Sequence, residues 1–198
     1  MATPANESII NRMSGTQYLI ILVCFICNML DGMDVLIISY TAPAIAKGWN
    51  ISPSNLGIVF SSGLVGMTVG AVFLAPLADR FGRKPMMLAA AVTMGLCIYA
   101  TSYAWSVSVL IFCRFVSGLG IGTMMASTAS ITAEYTPFRT RDFWVSIVVA
   151  GYPVGAVLTG LFSAQLIEQS GWQRLFELAG IATFLILPVI YFLLKESP

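Results

Sequence analysis

Leu77-Ala78-Asp79-Arg80-Phe81-Gly82-Arg83-Lys84 holds the densest charge cluster of the chain, a clasp from Asp79 to Lys84 set between two long apolar runs. A Lys, Arg or Asp at the centre of a membrane helix costs about 2.5 to 3.5 kcal/mol. Asp79, Arg80, Arg83 and Lys84 therefore belong at a membrane surface, and the runs on either side become membrane spans. A connection this short joins antiparallel neighbours, and Gly82 supplies the backbone freedom that so tight a turn needs.

The composition extends that reading to the whole chain. Of 198 residues, 58% are hydrophobic and 10% charged, with a mean hydropathy of +0.86, whereas soluble domains carry about 25% charged residues. This is the composition of an all-α polytopic membrane protein. A net charge of +1 gives no basic or acidic balance that would attract nucleic acid. The four cysteines, Cys24, Cys27, Cys97 and Cys113, all fall inside apolar runs, where cysteine acts as a small buried hydrophobe. Cys24 and Cys27 have CxxC spacing, but a single such pair on a membrane helix, in a chain without histidine, favours packing over zinc or redox chemistry. Neither a metal nor a cofactor is expected.

At about 20 apolar residues per crossing, six spans emerge at 18–46, 54–78, 85–103, 106–133, 143–167 and 175–194. Residues 1–17 form a polar leading segment, and 18–198 form the bundle. The first apolar run is longer than a signal-peptide core and runs into acidic residues, so it is expected to remain in the mature protein. Ser52 and Pro53 form a start signal for the second span, Pro85 opens the third, and Pro43 predicts a kink or a tilt near the end of the first. Orientation follows from Lys and Arg in the connections. With the amino terminus inside, Arg12, Arg80, Arg83, Lys84, Arg139, Arg141 and Lys195 lie inside, against Lys47 and Arg174 outside. Seven against two places both ends and the clasp in the cytoplasm.

Small residues recur at close spacing: Gly63, Gly66 and Gly70 in the second span, Gly118, Gly120 and Gly122 in the fourth, Gly151, Gly155 and Gly160 in the fifth. Lipid gives helices no hydrophobic reason to associate, so such notches are where backbones approach. The Gly118 to Gly122 series follows no strand and completes no GxGxxG, which leaves packing as its reading rather than dinucleotide binding.

Three charged groups lie deep inside spans, where such residues are functional candidates by default. Asp31 and Asp34 stand three apart on one helix face. Counting about 1.5 Å per residue from position 18 puts them about 20 and 24 Å in, and Arg114 on the opposite-running fourth span lies at a matching depth. The spacing predicts a cluster of both acids with Arg114. Two acids against one base leave a charge unmatched, which favours a proton-carrying carboxylate in a water-filled cavity over a static pair. Glu134, with Arg139 and Arg141 beyond it, closes the fourth span beside the clasp. Surface pairs add little stability, so bridges from these residues to Asp79, Arg80 and Arg83 read as a conformational latch.

Leu77 to Lys84 resembles the signature between the second and third helices of the major facilitator superfamily, Gly-x-Leu-Ala-Asp-Arg-x-Gly-Arg-Lys, departing only at the first glycine, where this chain has Ala75. Arg114 to Gly120 is similar to the family's fourth-helix motif, whose arginine is associated with proton coupling. Asp31-Gly32-Met33-Asp34, Glu134-Tyr135-Thr136-Pro137 with Arg139 and Arg141, Gly151-Tyr152-Pro153-Val154-Gly155 and the closing Glu196-Ser197-Pro198 together resemble the aromatic acid:proton symporters. Ala156 after Gly155 breaks the antiporter signature, which favours symport. The resemblance implies half of a twelve-helix fold, six helices as two inverted three-helix repeats, with a midplane site completed by a second six-helix half. It implies a multi-pass protein of the bacterial inner membrane and a secondary transporter whose partners are the lipid bilayer, a proton and a small organic anion, an aromatic carboxylate above others such as a sugar or drug.

Two other classes compete with that expectation. A six-helix bundle that assembles with itself or with a larger carrier would need no cavity chemistry. An intramembrane enzyme is disfavoured: there is no histidine for a Ser-His or metal site, and the acid pair lies on one helix rather than on two facing ones. Phe60, Tyr40 and Trp144 are candidates to line an aromatic pocket.

Overall fold

The computed structural model describes residues 13–194 apart from the side chain of Asp79; Arg12, Lys195 and the closing Glu196-Ser197-Pro198 lie outside the described residues. In chain order it forms α1 (Gly15–Trp49), α2 (Pro53–Val69), a π turn (Gly70–Leu74), α3 (Ala75–Phe81), α4 (Arg83–Thr101), α5 (Val107–Tyr135), a 3-10 turn (Phe138–Thr140) and α6 (Arg141–Leu193). Five helical stretches are long and apolar enough to cross a membrane: Gly15–Trp49, Pro53–Ala78, Arg83–Thr101, Val107–Tyr135 and Phe138–Leu193.

Local chemistry sets the ends. Ser14 and Gln17 form a capping box, which starts α1 at Gly15, ahead of position 18. Gln17 Nε2 also donates to the Tyr135 carbonyl at 2.7 Å, tying α1 to the end of α5. The helix continues through Pro43 and stops at Asn50, whose left-handed φ of 50° turns the chain out. Ser52 Oγ accepts from the Asn55 N–H with Pro53 in the first turn, as the start signal requires. Gly82 sits at φ 92°, ψ 145° between α3 and α4, the conformation for which the turn needs glycine.

Two features go beyond the sequence reading. The second span passes through a π turn, in which the Ala75 N–H bonds the Gly70 carbonyl; Pro76 next to it has no N–H to donate, so the helical register shifts there. The fifth and sixth spans both lie in α6, whose 53 residues are two helices joined at a break where Gly171 takes φ 80°, ψ 166°. A straight helix of that length would reach about 80 Å, against a hydrocarbon core of about 30 Å. The break lets the run double back. Trp144 meets Tyr18 at the clasp end (centroids 5.5 Å apart), Trp172 meets Trp49 at the far end (5.8 Å), and Tyr191 lies under Lys84 back at the clasp (5.0 Å).

The glycine notches lie at two helix crossings. Between α2 and α5, a Cβ on Gly66 would overlap the Phe115 carbonyl, one on Gly118 the Gly63 carbonyl, and one on Gly122 the Met67 carbonyl. Between α1 and α6, Gly155 meets the Met29 carbonyl, Gly32 the Tyr152 carbonyl and Gly151 the Phe25 carbonyl. Gly120 faces Met94 of α4, and Gly160 faces the Tyr40 ring. Ile20, Ile37, Met87, Met94, Ile121, Phe176 and Ile190 fill the space these crossings enclose.

Candidate functional site: a buried acid–base cluster

The face of α1 that carries Asp31 and Asp34 turns inward, and both residues are fully buried, although an exposed carboxylate would be better solvated. Arg114 of α5 reaches Asp34 from across the bundle. Its Nη1 donates to Asp34 Oδ1 at 2.8 Å and to the Asp34 backbone carbonyl at 3.1 Å. The two side chains are 4% and 0% exposed. The second limb of α6 closes the site with Phe176, whose ring centroid lies 5.5 Å from Arg114 Cζ, close enough for a cation–π contact.

The predicted three-residue cluster needs one correction. Asp34 pairs with Arg114, but Asp31 does not: both of its oxygens, with Asp34 Oδ2 and Arg114 Nε and Nη2, are buried without a hydrogen-bond partner. The guanidinium serves Asp34 through two acceptors on one nitrogen, and its other two nitrogens make no hydrogen bond to the acid one turn earlier.

Sequence reasoning missed two members of the site. Asn28, one turn before Asp31 on the same face, donates to Thr128 Oγ1 at 2.8 Å and to the Cys24 carbonyl at 3.1 Å. Its spacing, polar residues at 28, 31 and 34, was a usable signal. Phe176 carried none, being one aromatic in an apolar run. Cys24 and Cys27 are buried beside this polar row, in the packing positions their surroundings suggested.

Arg114 also borders an open, mainly apolar cavity of about 120 Å³ lined by Val35, Ser39, Phe60, Leu64 and Ser117, among others. Of the three aromatic candidates, only Phe60 is there. Tyr40 instead donates to the Ala156 carbonyl at 3.3 Å, and Trp144 packs edge-on against Tyr18 and Phe143.

At the clasp, Arg83 Nη1 meets Glu134 Oε1 at 2.7 Å, with side chains 18% and 39% exposed. Lys84 lies over Tyr191. Of the other charged residues expected at the latch, Arg139 and Arg80 are exposed, and Arg141 stacks on Phe138 at 5.4 Å. Asp79, the clasp's acid, has its side chain outside the described residues.

Long apolar helices packed through backbone notches, enclosing a desolvated guanidinium and two carboxylates, define a multi-pass membrane protein with a charged interior. This chain belongs to the Major Facilitator Superfamily, whose family model matches residues 24–198. It is 38% identical over 185 residues to the 4-hydroxybenzoate transporter PcaK of Pseudomonas aeruginosa, covering 93% of this chain and 41% of that protein. It is 34% identical to a gallate transporter of Pseudomonas putida, with 91% and 40% covered. The chain thus spans about two fifths of the length of these curated relatives. Among solved structures, the proton:xylose symporter XylE matches with a TM-score of 0.81 at 23% identity, over 94% of this chain and 46% of that one. A bacterial homologue of the lysosomal transporter Spinster matches with a TM-score of 0.87 at 18% identity, over 94% and 45%. These two likenesses show the fold.

Proposed function

We propose that this chain is the amino-terminal six-helix half of a proton-coupled symporter for aromatic carboxylates in the inner membrane of a bacterium. In this reading residues 1–17 are cytoplasmic, 18–198 form the bundle, and the two limbs of α6 are separate crossings, with both ends of the chain in the cytoplasm. The crossings group as two inverted three-helix repeats. The glycine contacts support that grouping: the first crossing packs on the fifth and the second on the fourth, a pattern unchanged when the repeats are exchanged. A second six-helix half would complete the cavity.

The observation that carries the reading is Arg114 itself. A guanidinium taken out of water, matched by Asp34, left with two unspent donors and bordering a mainly apolar cavity with Phe60 in its wall is equipped to respond to an anion attached to a ring. The transported compounds named for the relatives, 4-hydroxybenzoate and gallate, are of that chemistry. A proton taken up by the acid pair and a substrate carboxylate drawn to Arg114 would each bias the same two-state bundle, which is what coupling requires. Asp79, Arg80, Gly82, Arg83 and Lys84, with Glu134, Arg139 and Arg141, form the latch that holds the inward-closed state against the second half.

The test is uptake of radiolabelled 4-hydroxybenzoate by proteoliposomes that hold the chain joined to its second half, under an imposed inward proton gradient. Accumulation above equilibrium that collapses with the gradient is expected. Equilibration without accumulation, or accumulation indifferent to the gradient, would refute symport.

A further inference from the structure

We infer that Asp31, and not Asp34, carries the coupling proton, while Asp34 is a positioning residue for Arg114; this rests on the symport reading above. The two acids are one turn apart and equally buried, yet their surroundings differ in kind. Asp34 holds Arg114 through its side chain and its backbone at once. Neither oxygen of Asp31 has a partner. The titratable groups that face Asp31 are Asp34 and Cys27 on its own helix and Tyr152 on α6, while Arg114 of α5 is held on Asp34. The nearest amide is already engaged, since Asn28 donates to Thr128 and to the Cys24 carbonyl.

Charge counting then separates the roles. With Asp34 and Arg114 paired, the cluster is neutral when Asp31 holds a proton and carries one unmatched, unsolvated negative charge when it does not. Removing the charge of Asp34 instead would strand Arg114. Proton uptake forms an O–H bond on an Asp31 oxygen, and release breaks it and returns the same proton to water on the other side. The carboxylate left behind attracts the guanidinium through Nε and Nη2, the two donors that Asp34 does not use. Arg114 bridging both acids would draw α5 along α1 by a fraction of a turn. The proton state of one oxygen would thereby become a helix position.

Infrared difference spectroscopy of the 198-residue chain in lipid nanodiscs at neutral pH tests this without a second half, because solvated Asp and Glu are ionised there. The parent should show a carboxylic-acid C=O band that is lost in Asp31→Asn, kept in Asp34→Asn and displaced in Asp31→Glu. If Asp34→Asn does not fold, the two Asp31 variants decide the matter. A parent without the band, or a band unchanged by either Asp31 substitution, overturns the assignment. In the completed carrier, Asp31→Asn should lose all dependence of uptake on the pH gradient while still exchanging substrate across the membrane. Uptake that remains pH-driven in Asp31→Asn overturns the assignment and leaves symport standing. A parent with no pH-driven uptake at all overturns symport, and the coupling role with it, whatever the infrared band shows.

Discussion

Arg114 and Asp34 are held together by two contacts and a covering ring. One guanidinium nitrogen serves a carboxylate and a carbonyl on the same residue, and Phe176 covers the cation's face. Truncating the arginine leaves the buried Asp34 carboxylate without its counterion, and breaking one side of a buried pair costs about 3–5 kcal/mol. Arg114→Ala is therefore expected to lower thermal stability sharply in detergent and to abolish uptake. Arg114→Lys supplies a point charge without the planar fork, so it should recover most of the stability and little of the transport. Thermal unfolding and uptake measured on both variants check this, and equal loss of stability in the two would remove the charge-matching argument. The pairing was legible in the sequence because helix rise and span direction put Arg114 at the depth of the two acids. Which acid it would take was not legible, because that choice depends on the rotation of α5 against α1, a difference of one turn that no spacing rule resolves.

At the scale of whole helices, backbone contact does the work that apolar burial does in soluble proteins, and this gives glycine positions opposite fates. A methyl group on Gly155 would overlap the Met29 carbonyl of α1, whereas one on Gly57 meets nothing within 4 Å. Gly155→Ala should cost about 1–3 kcal/mol, as overpacking does, and Gly57→Ala should stabilise α2 by about 0.4–1 kcal/mol through the unfolded state. Thermal unfolding of the two variants in the same detergent separates them, and matched shifts would contradict the packing model. The clasp behaves differently, because its Arg83–Glu134 pair is half in water and worth about 0–1 kcal/mol. Glu134→Gln should accordingly leave the unfolding midpoint nearly unchanged while altering the balance of inward- and outward-facing states, read by site-specific spin labels in the completed carrier. Glycine periodicity and the charged turn were plain in the sequence. The π turn was signalled only by Pro76, and the break at Gly171 falls within the connection that the sequence leaves between the fifth and sixth spans.

For the whole molecule, length and charge placement carry the argument. The chain's apolar stretches fix its class, and its family match follows from motifs that sit at helix junctions, where a membrane sequence is most constrained. Which way the bundle faces rests on seven basic residues against two, a bias that acts during insertion and leaves no mark on side-chain packing. Cysteine labelling reads it directly. The native cysteines are a quiet background, with Cys24, Cys27 and Cys113 buried and Cys97 half-buried, while Arg80 at the clasp and Lys47 at the far end are exposed. In intact cells an impermeant maleimide should label Lys47→Cys and spare Arg80→Cys until the membrane is permeabilised. The opposite pattern would reverse the topology and place the clasp outside. It would also change the order of events in the cavity, since the acids lie midway along α1, and a proton entering from outside would then come from the clasp end and reach Asp31 before Asp34.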